Sequence, residues 1–147
     1  MRAVIQRVER ASVTVARAEI ARIGTGILAL VAIAREDSQR DLDWMAKKIV
    51  ELRIFEDVEG RLNRSLLDVG GQLLLVSQFT LYGDCRKGRR PSYSDAAPPN
   101  QAQPLYEDFV RTSRQWVPDV QSGLFQAAME VELVNSGPVT LIIDSRQ

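Results

Sequence analysis

The chain has 147 residues, 45% of them hydrophobic and 26% charged, which suits one ordinary globular domain over 1–147 with a core large enough to need no staples. Nineteen Lys and Arg balance nineteen Asp and Glu, so any contact with nucleic acid must come from a local patch rather than overall charge. Histidine is absent and Cys85 is the one cysteine, which excludes Ser-His-Asp and Cys-His catalysis, His-ligated metals, a Cys-based zinc site and an intramolecular disulfide.

The start, MRAVIQRVERASVTV, has no long apolar run behind a basic segment, so neither a signal peptide nor a membrane span is expected. With a single cysteine this fits a cytoplasmic protein with no membrane partner. ASVTV alternates, with Ala11, Val13 and Val15 on one face and Ser12 and Thr14 on the other, and predicts a strand. EIARIG and GILALVAIA predict two more, with Gly24-Thr25-Gly26 as a hairpin turn between them. Ile27 to Ala34 is apolar throughout and reads as a strand covered on both faces.

Ser38, with Asp41 in capping-box position, opens a helix whose buried face is Leu42, Met45, Ala46, Ile49 and Leu52. Asp57 to Gly60 is a turn, and QLLLVSQFTL is a second buried strand. A long loop, CRKGRRPSYSDAAPPNQAQP, leads to a second helix from Pro104 to Trp116. Two last strands, VELV and VTLIID, flank Asn135-Ser136-Gly137-Pro138. The sum is an α+β fold: a curved, mostly antiparallel sheet or barrel with two main helices packed on it.

Three stretches strain local rules. Ser77-Gln78-Phe79-Thr80 turns a buried strand polar at its end, either satisfying nearby backbone or forming a polar cup at the mouth of the sheet. Arg86-Lys87-Gly88-Arg89-Arg90 places four cations in five residues between Tyr82 and Tyr93, as a solvated charge run or a phosphate-contacting patch. Gly137-Pro138 sets a residue without an N–H between strand-like runs, as an edge turn or a rigid carbonyl-bearing element.

Together these stretches resemble the D-aminoacyl-tRNA deacylase family. The likeness runs through IQRVxxASVTV at Ile5 to Val15, RIGTGIL at 22–28, RIFEDxEGRLN at 53–63, SQFTLYGDCRKGRRPSYSDAA at 77–97 and LVNSGPVT at 133–140. It implies that family's fold and hydrolysis of the ester joining a D-amino acid to the terminal adenosine of tRNA. Glycine mischarged on the alanine tRNA is implied as a further substrate. It also implies a homodimer in which each subunit's Gly-Pro, in the cis form, reaches into the partner's pocket and rejects L-residues. On that basis Ser77, Gln78, Phe79 and Thr80 form the catalytic pocket floor, with backbone N–H groups meeting the oxyanion. Gly137 and Pro138 form the chiral filter, Phe125 stacks on the terminal adenine, Arg7 braces the Gly-Pro, and Met129 lines the same region. No cofactor, no metal and no DNA partner are implied.

Departures from the pattern are Ser136 at the variable position, Ala32 where glycine is common, and Gln126 where a smaller residue is expected. Without histidine, a base must be found elsewhere, and the substrate's own 2′-hydroxyl lies beside the scissile ester. The resemblance places water activation there, ahead of Thr80 as a poorly activated nucleophile. A non-catalytic nucleic-acid-binding module built on Arg86 to Arg90 is the alternative of a different class.

Overall fold

The computed structural model describes residues 1–146; Gln147, at the end of the predicted 1–147 span, lies outside the described residues. Strand β1 (Arg2–Val15) is the spine of the sheet. Along one edge it pairs antiparallel with β2 (Ala18–Ile23) and β3 (Gly26–Ala32), and along the other with β8 (Glu130–Asp144). Parallel to β3 run β6 (Gln72–Ser77) and then β7 (Val120–Ser122). The sheet therefore mixes an antiparallel half with a parallel one, and it curls until β2 approaches β6 and β7. A small hairpin, β4 (Phe55–Glu56) and β5 (Leu62–Arg64), spans the predicted Asp57–Gly60 turn.

The predicted hairpin at Gly24-Thr25-Gly26 is not one. Ala11 pairs with Ile23 and Val8 with Gly26, so β2 and β3 follow one another along the same edge of β1, in one register from Arg2 to Val13. Gly24-Thr25 is a bend in that run. The chain reverses instead at Ala16-Arg17, where both residues are left-handed (φ 48° and 68°), the conformation a two-residue hairpin demands. Ala-Arg lacks the Asn-Gly signature, which is why the sequence does not advertise it. Gly26 is required for another reason: a Cβ there would sit 1.9 Å from the carbonyl oxygen of Gln72, its partner on β6.

The two last strands are likewise one. Both halves of β8 pair with β1, but between the pairs Gln6–Thr140 and Val8–Asn135 the register shifts. Arg7 alone stands opposite the four residues Ser136–Val139, so these form a bulge. This resolves how a proline fits: it sits in a bulge on an edge strand, where no ladder N–H is missed. The Gly137–Pro138 peptide is cis, and Gly137 has φ +113°.

Helix α1 (Gln39–Glu51) carries the capping box predicted for Ser38 and Asp41. A short α2 (Leu66–Val69) precedes β6. Helix α3 (Pro99–Ser113) starts five residues before the predicted Pro104 and stops before Trp116, which is exposed. Pro98-Pro99 fits a helix start, where the missing N–H costs nothing. Pro104 is tolerated one turn in, where Asn100, whose carbonyl it cannot bond, is an exposed residue. The predicted strand through Leu81 also ends early: β6 stops at Ser77, and Phe79–Tyr82 is a single 3-10 turn.

Helices α1 and α3 cover one face of the sheet, burying Ile5, Ile27, Leu42, Met45, Ile49 and Phe109. The inside of the curl buries Val8, Val13, Ile23, Leu28, Leu74 and Val76. Strand β3 contributes to both clusters, which accounts for its unbroken apolar run.

Candidate active site

Strand β6 delivers the polar SQFT stretch to the edge of a cleft. Ser77 is the last paired residue, opposite Val31 of β3, and the Gln78 N–H donates to the Val31 carbonyl at 2.8 Å. The chain then tightens into the 3-10 turn. The N–H groups of Phe79 and Thr80 open that turn and donate to no acceptor among the described residues, as expected for the first residues of a helical segment.

The cleft has a volume of about 590 Å³. It is lined by Ser77, Gln78 and Phe79 at the end of β6, by Phe125, Gln126 and Met129 before β8, and by Tyr93 with Ala96 to Pro99 before α3. Among the described residues Arg35 is its one charged lining residue, and no carboxylate or lysine lines it. Phe79 is 54% exposed and meets Tyr93 edge to face, ring centroids 5.2 Å apart. Phe79 with Tyr93, and separately Phe125, thus give the lining its aromatic surface. Such surfaces suit a planar heteroaromatic ring.

Tyr106 on α3 ties β6 to β7 beneath the cleft. Its hydroxyl donates to the Leu75 carbonyl at 2.9 Å and lies 3.0 Å from Ser122 Oγ, while its ring packs 5.9 Å from that of Phe125. Burial pushes the Tyr106 hydroxyl up to about 12, so it stays a neutral donor at physiological pH. Sequence reading missed both Tyr93 and Tyr106. Tyr93 lies in the long loop before α3, and Tyr106 lies inside the predicted helix, where nothing local marks it as reaching towards β6 and β7.

Thr80 is exposed and lies outside the lining. Its Oγ1 accepts a hydrogen bond from Gln78 Nε2, so no base stands ready to take the hydroxyl proton. Gly137, Pro138 and Arg7 are not part of this cleft either. They lie together at the bulge, where Arg7, only 7% exposed, donates from Nε to the Ser136 carbonyl at 3.1 Å and from Nη1 to the Ile54 carbonyl at 2.7 Å. Gly137 and Pro138 themselves are exposed. One chain therefore holds two separated halves of the expected site: a cleft, and a projecting bulge.

Gln126 has φ +62° in the turn that the Ala127 N–H closes onto the Leu124 carbonyl at 3.2 Å. That region disfavours a side chain by roughly 1–2 kcal/mol, partly offset by the greater unfolded-state entropy of glycine. Gln126→Gly is therefore expected to raise stability by up to about 1 kcal/mol, read as a higher urea midpoint with an unchanged slope. A lower midpoint would show that the Gln126 side chain contributes packing that outweighs its backbone strain.

In the basic loop Arg86 is already engaged. It grips the Asp84 carboxylate through Nε and Nη2, both at 2.8 Å, which holds Asp84 well below the usual carboxylate range. Lys87, Arg89 and Arg90 are exposed and have no ion-pair partner among the described residues. Among the described residues no group of three or more His, Cys, Asp or Glu could hold a metal ion, and no helix is long and apolar enough to cross a membrane.

Comparison with known proteins covers nearly the whole chain. The family model described as D-Tyr-tRNA(Tyr) deacylase matches residues 4–144. A D-aminoacyl-tRNA deacylase from Desulfitobacterium hafniense is 56% identical over 147 residues, covering 100% of this chain and 99% of that one. One from Chloroherpeton thalassium is 58% identical, covering 99% and 96%. Among solved structures, a c-Myc DNA unwinding element binding protein superposes with a TM-score of 0.93 at 41% identity, covering 98% of each chain. A probable eukaryotic D-amino acid tRNA deacylase shares the fold at a TM-score of 0.83 and 18% identity, covering 97% of each. A match that runs from the first strand through the Gly-Pro bulge, with relatives above half identity end to end, leaves one conclusion: the chain belongs to the D-Tyr-tRNA(Tyr) deacylase family.

Proposed function

We propose that this protein hydrolyses the ester of D-aminoacyl-tRNA, releasing the D-amino acid and free tRNA, in the cytoplasm. The observation that carries the reading is the cleft itself. It offers aromatic surface and unpaired N–H groups beside a polar strand end, and among the described residues no side chain able to act as a base lines it. Such a site suits a substrate that brings its own activating group. In the reading we favour, the 2′-hydroxyl of the terminal ribose orients and activates the attacking water. The N–H groups of Phe79 and Thr80 receive the developing oxyanion, and Phe125 stacks on the adenine. Arg35, exposed and with its Nε donating to the Ser94 carbonyl, would meet a phosphate through its remaining N–H groups.

Chirality would be read by a second subunit. Strand β8 has an unpaired outer edge, with Leu141 38% and Ile142 75% exposed, and such an edge invites a partner chain. In a two-fold homodimer each bulge would project towards the other subunit's cleft and fill the space an L side chain requires. A filter that only excludes would pass chemically varied D-residues, and glycine with them, including glycine mischarged on the alanine tRNA. The test is incubation of the purified protein with D-Tyr-tRNA and L-Tyr-tRNA. Hydrolysis of the D-ester alone is expected; hydrolysis of neither would leave a nucleic-acid-binding module.

That second reading draws on the name of the structural neighbour, a DNA unwinding element binding protein, and on the exposed cations of the basic loop. In our reading those cations serve tRNA. Neutralising Lys87, Arg89 and Arg90 is expected to weaken tRNA binding and flatten its salt dependence. The log–log slope should fall by about 0.7–0.9 for each phosphate that the loop no longer neutralises, with D over L preference unchanged. Arg86, committed to Asp84, is expected to add little. An unchanged slope would return the loop to a solvated charge run.

A further inference from the structure

One side chain closes the base of the Gly-Pro bulge. Asn135 stands immediately before it and uses both ends of its amide. Oδ1 accepts the Val139 N–H at 3.0 Å, and Nδ2 donates to Thr140 Oγ1 at 2.9 Å and to the Val139 carbonyl at 3.4 Å. Thr140 Oγ1 also accepts Gln6 Nε2 at 3.2 Å, which ties the clamp to β1. On the other side Ser136 is held twice, its carbonyl by Arg7 Nε at 3.1 Å and its hydroxyl donating to Glu9 Oε1 at 2.8 Å.

A bulge breaks the ladder and leaves its own polar groups to be satisfied some other way. Here one planar amide replaces the missing ladder partners. Because Oδ1 and Nδ2 are rigidly related, their two bonds fix both the spacing and the direction of the Val139 N–H relative to Thr140 Oγ1. Every restraint falls on Asn135, Ser136, Val139 and Thr140, and Gly137 and Pro138 form the apex between them. The aim of the apex is therefore set from its base.

We infer that Asn135 is a positioning residue that aims Gly137-Pro138, and through it sets the rejection of L-aminoacyl esters. The inference rests on the reading of Gly137-Pro138 as the chiral filter. Asn135 touches no reacting atom. Its removal should act on the D over L ratio more than on stability, because a merely loosened fold would lose activity on both substrates together.

The experiment compares kcat/KM for D-Ala-tRNA and L-Ala-tRNA in wild type, Asn135→Ala, Asn135→Asp, Thr140→Val and Pro138→Ala, with folding checked by circular dichroism. Loss of a positioning hydrogen bond corresponds to about a tenfold change, so Asn135→Ala is expected to lower the D over L ratio about tenfold or more. Asn135→Asp still accepts the Val139 N–H and should fall between Asn135→Ala and wild type. Thr140→Val removes one arm of the clamp and should lower the ratio by about threefold, and it carries the test if Asn135→Ala does not fold. A folded Asn135→Ala, or in its place Thr140→Val, with the wild-type ratio overturns the inference. If Pro138→Ala loses the ratio in that case, the filter reading stands and only the positioning role of Asn135 falls. If Pro138→Ala also keeps the ratio, the filter reading falls as well.

Discussion

Gly137→Ala is expected to strip the protein of most of its discrimination against L-aminoacyl-tRNA, although it adds a single methyl group. Two independent features make this position intolerant. Its φ of +113° lies where an L side chain is costly, roughly 1–3 kcal/mol. A Cβ built there would also lie 2.4 Å from Arg7 Nη2 and 3.2 Å from a methyl of Val139. Arg7 has little room to yield, since it is buried and bridges the Ser136 and Ile54 carbonyls, with Glu56 at 3.6 Å. The bulge must therefore move. The measurement is the ratio of kcat/KM for D-Ala- and L-Ala-tRNA. A shift of an ångström at a steric gate corresponds to a loss on the order of a hundredfold. A Gly137→Ala protein that folds and keeps the wild-type ratio would show that the bulge does not read the amino acid. Arg7→Lys is expected to move the ratio in the same direction, because a single ammonium cannot span both carbonyls.

The second large effect is expected on the substrate rather than the protein. With a 2′-deoxy terminal adenosine, D-aminoacyl ester should still bind, yet its single-turnover hydrolysis should slow by roughly a hundredfold or more, the usual worth of a general base. Thr80→Ala should stay within about threefold of wild type. The structure gives the reason: Thr80 Oγ1 is exposed, outside the cleft lining, and already accepts a hydrogen bond from Gln78. An acceptor position filled by an amide donor does nothing to deprotonate the hydroxyl. Thr80→Ala as inactive as a blank, with the deoxy substrate still cleaved, would move the chemistry to a Thr80 nucleophile.

Where one residue's chemistry decides local structure, the sequence was sufficient. Ser38 and Asp41 define the start of α1, and the even apolar run of β3 matches its place between two core clusters. Where pairing decides, it was not. Nothing local distinguishes Gly24-Thr25 as a bend from a hairpin turn, because the difference lies in whether Ile23 and Gly26 share the same partner strand. The same holds for Asn135 to Pro138: only the register against Arg7 shows a bulge within one strand rather than a turn between two. The site divides similarly. Ser77, Gln78 and Phe79 were legible because polar residues ending a buried strand stand out. Tyr93 and Tyr106 reach the cleft region through the path of the long loop and the packing of α3 on β6 and β7, neither of which is local in sequence.

A purely excluding filter is tested without any substitution by the response of the wild-type protein to D-Ala-, Gly- and L-Ala-tRNA at equal concentration. Space is the only quantity that separates these three at the α-carbon. Hydrolysis of the D-alanyl and glycyl esters is expected, with refusal of the L-alanyl ester, whose single methyl already occupies the forbidden position. Refusal of glycine alongside L-alanine would contradict exclusion as the mechanism, because a pocket that demands a D side chain recognises one instead of excluding its mirror image.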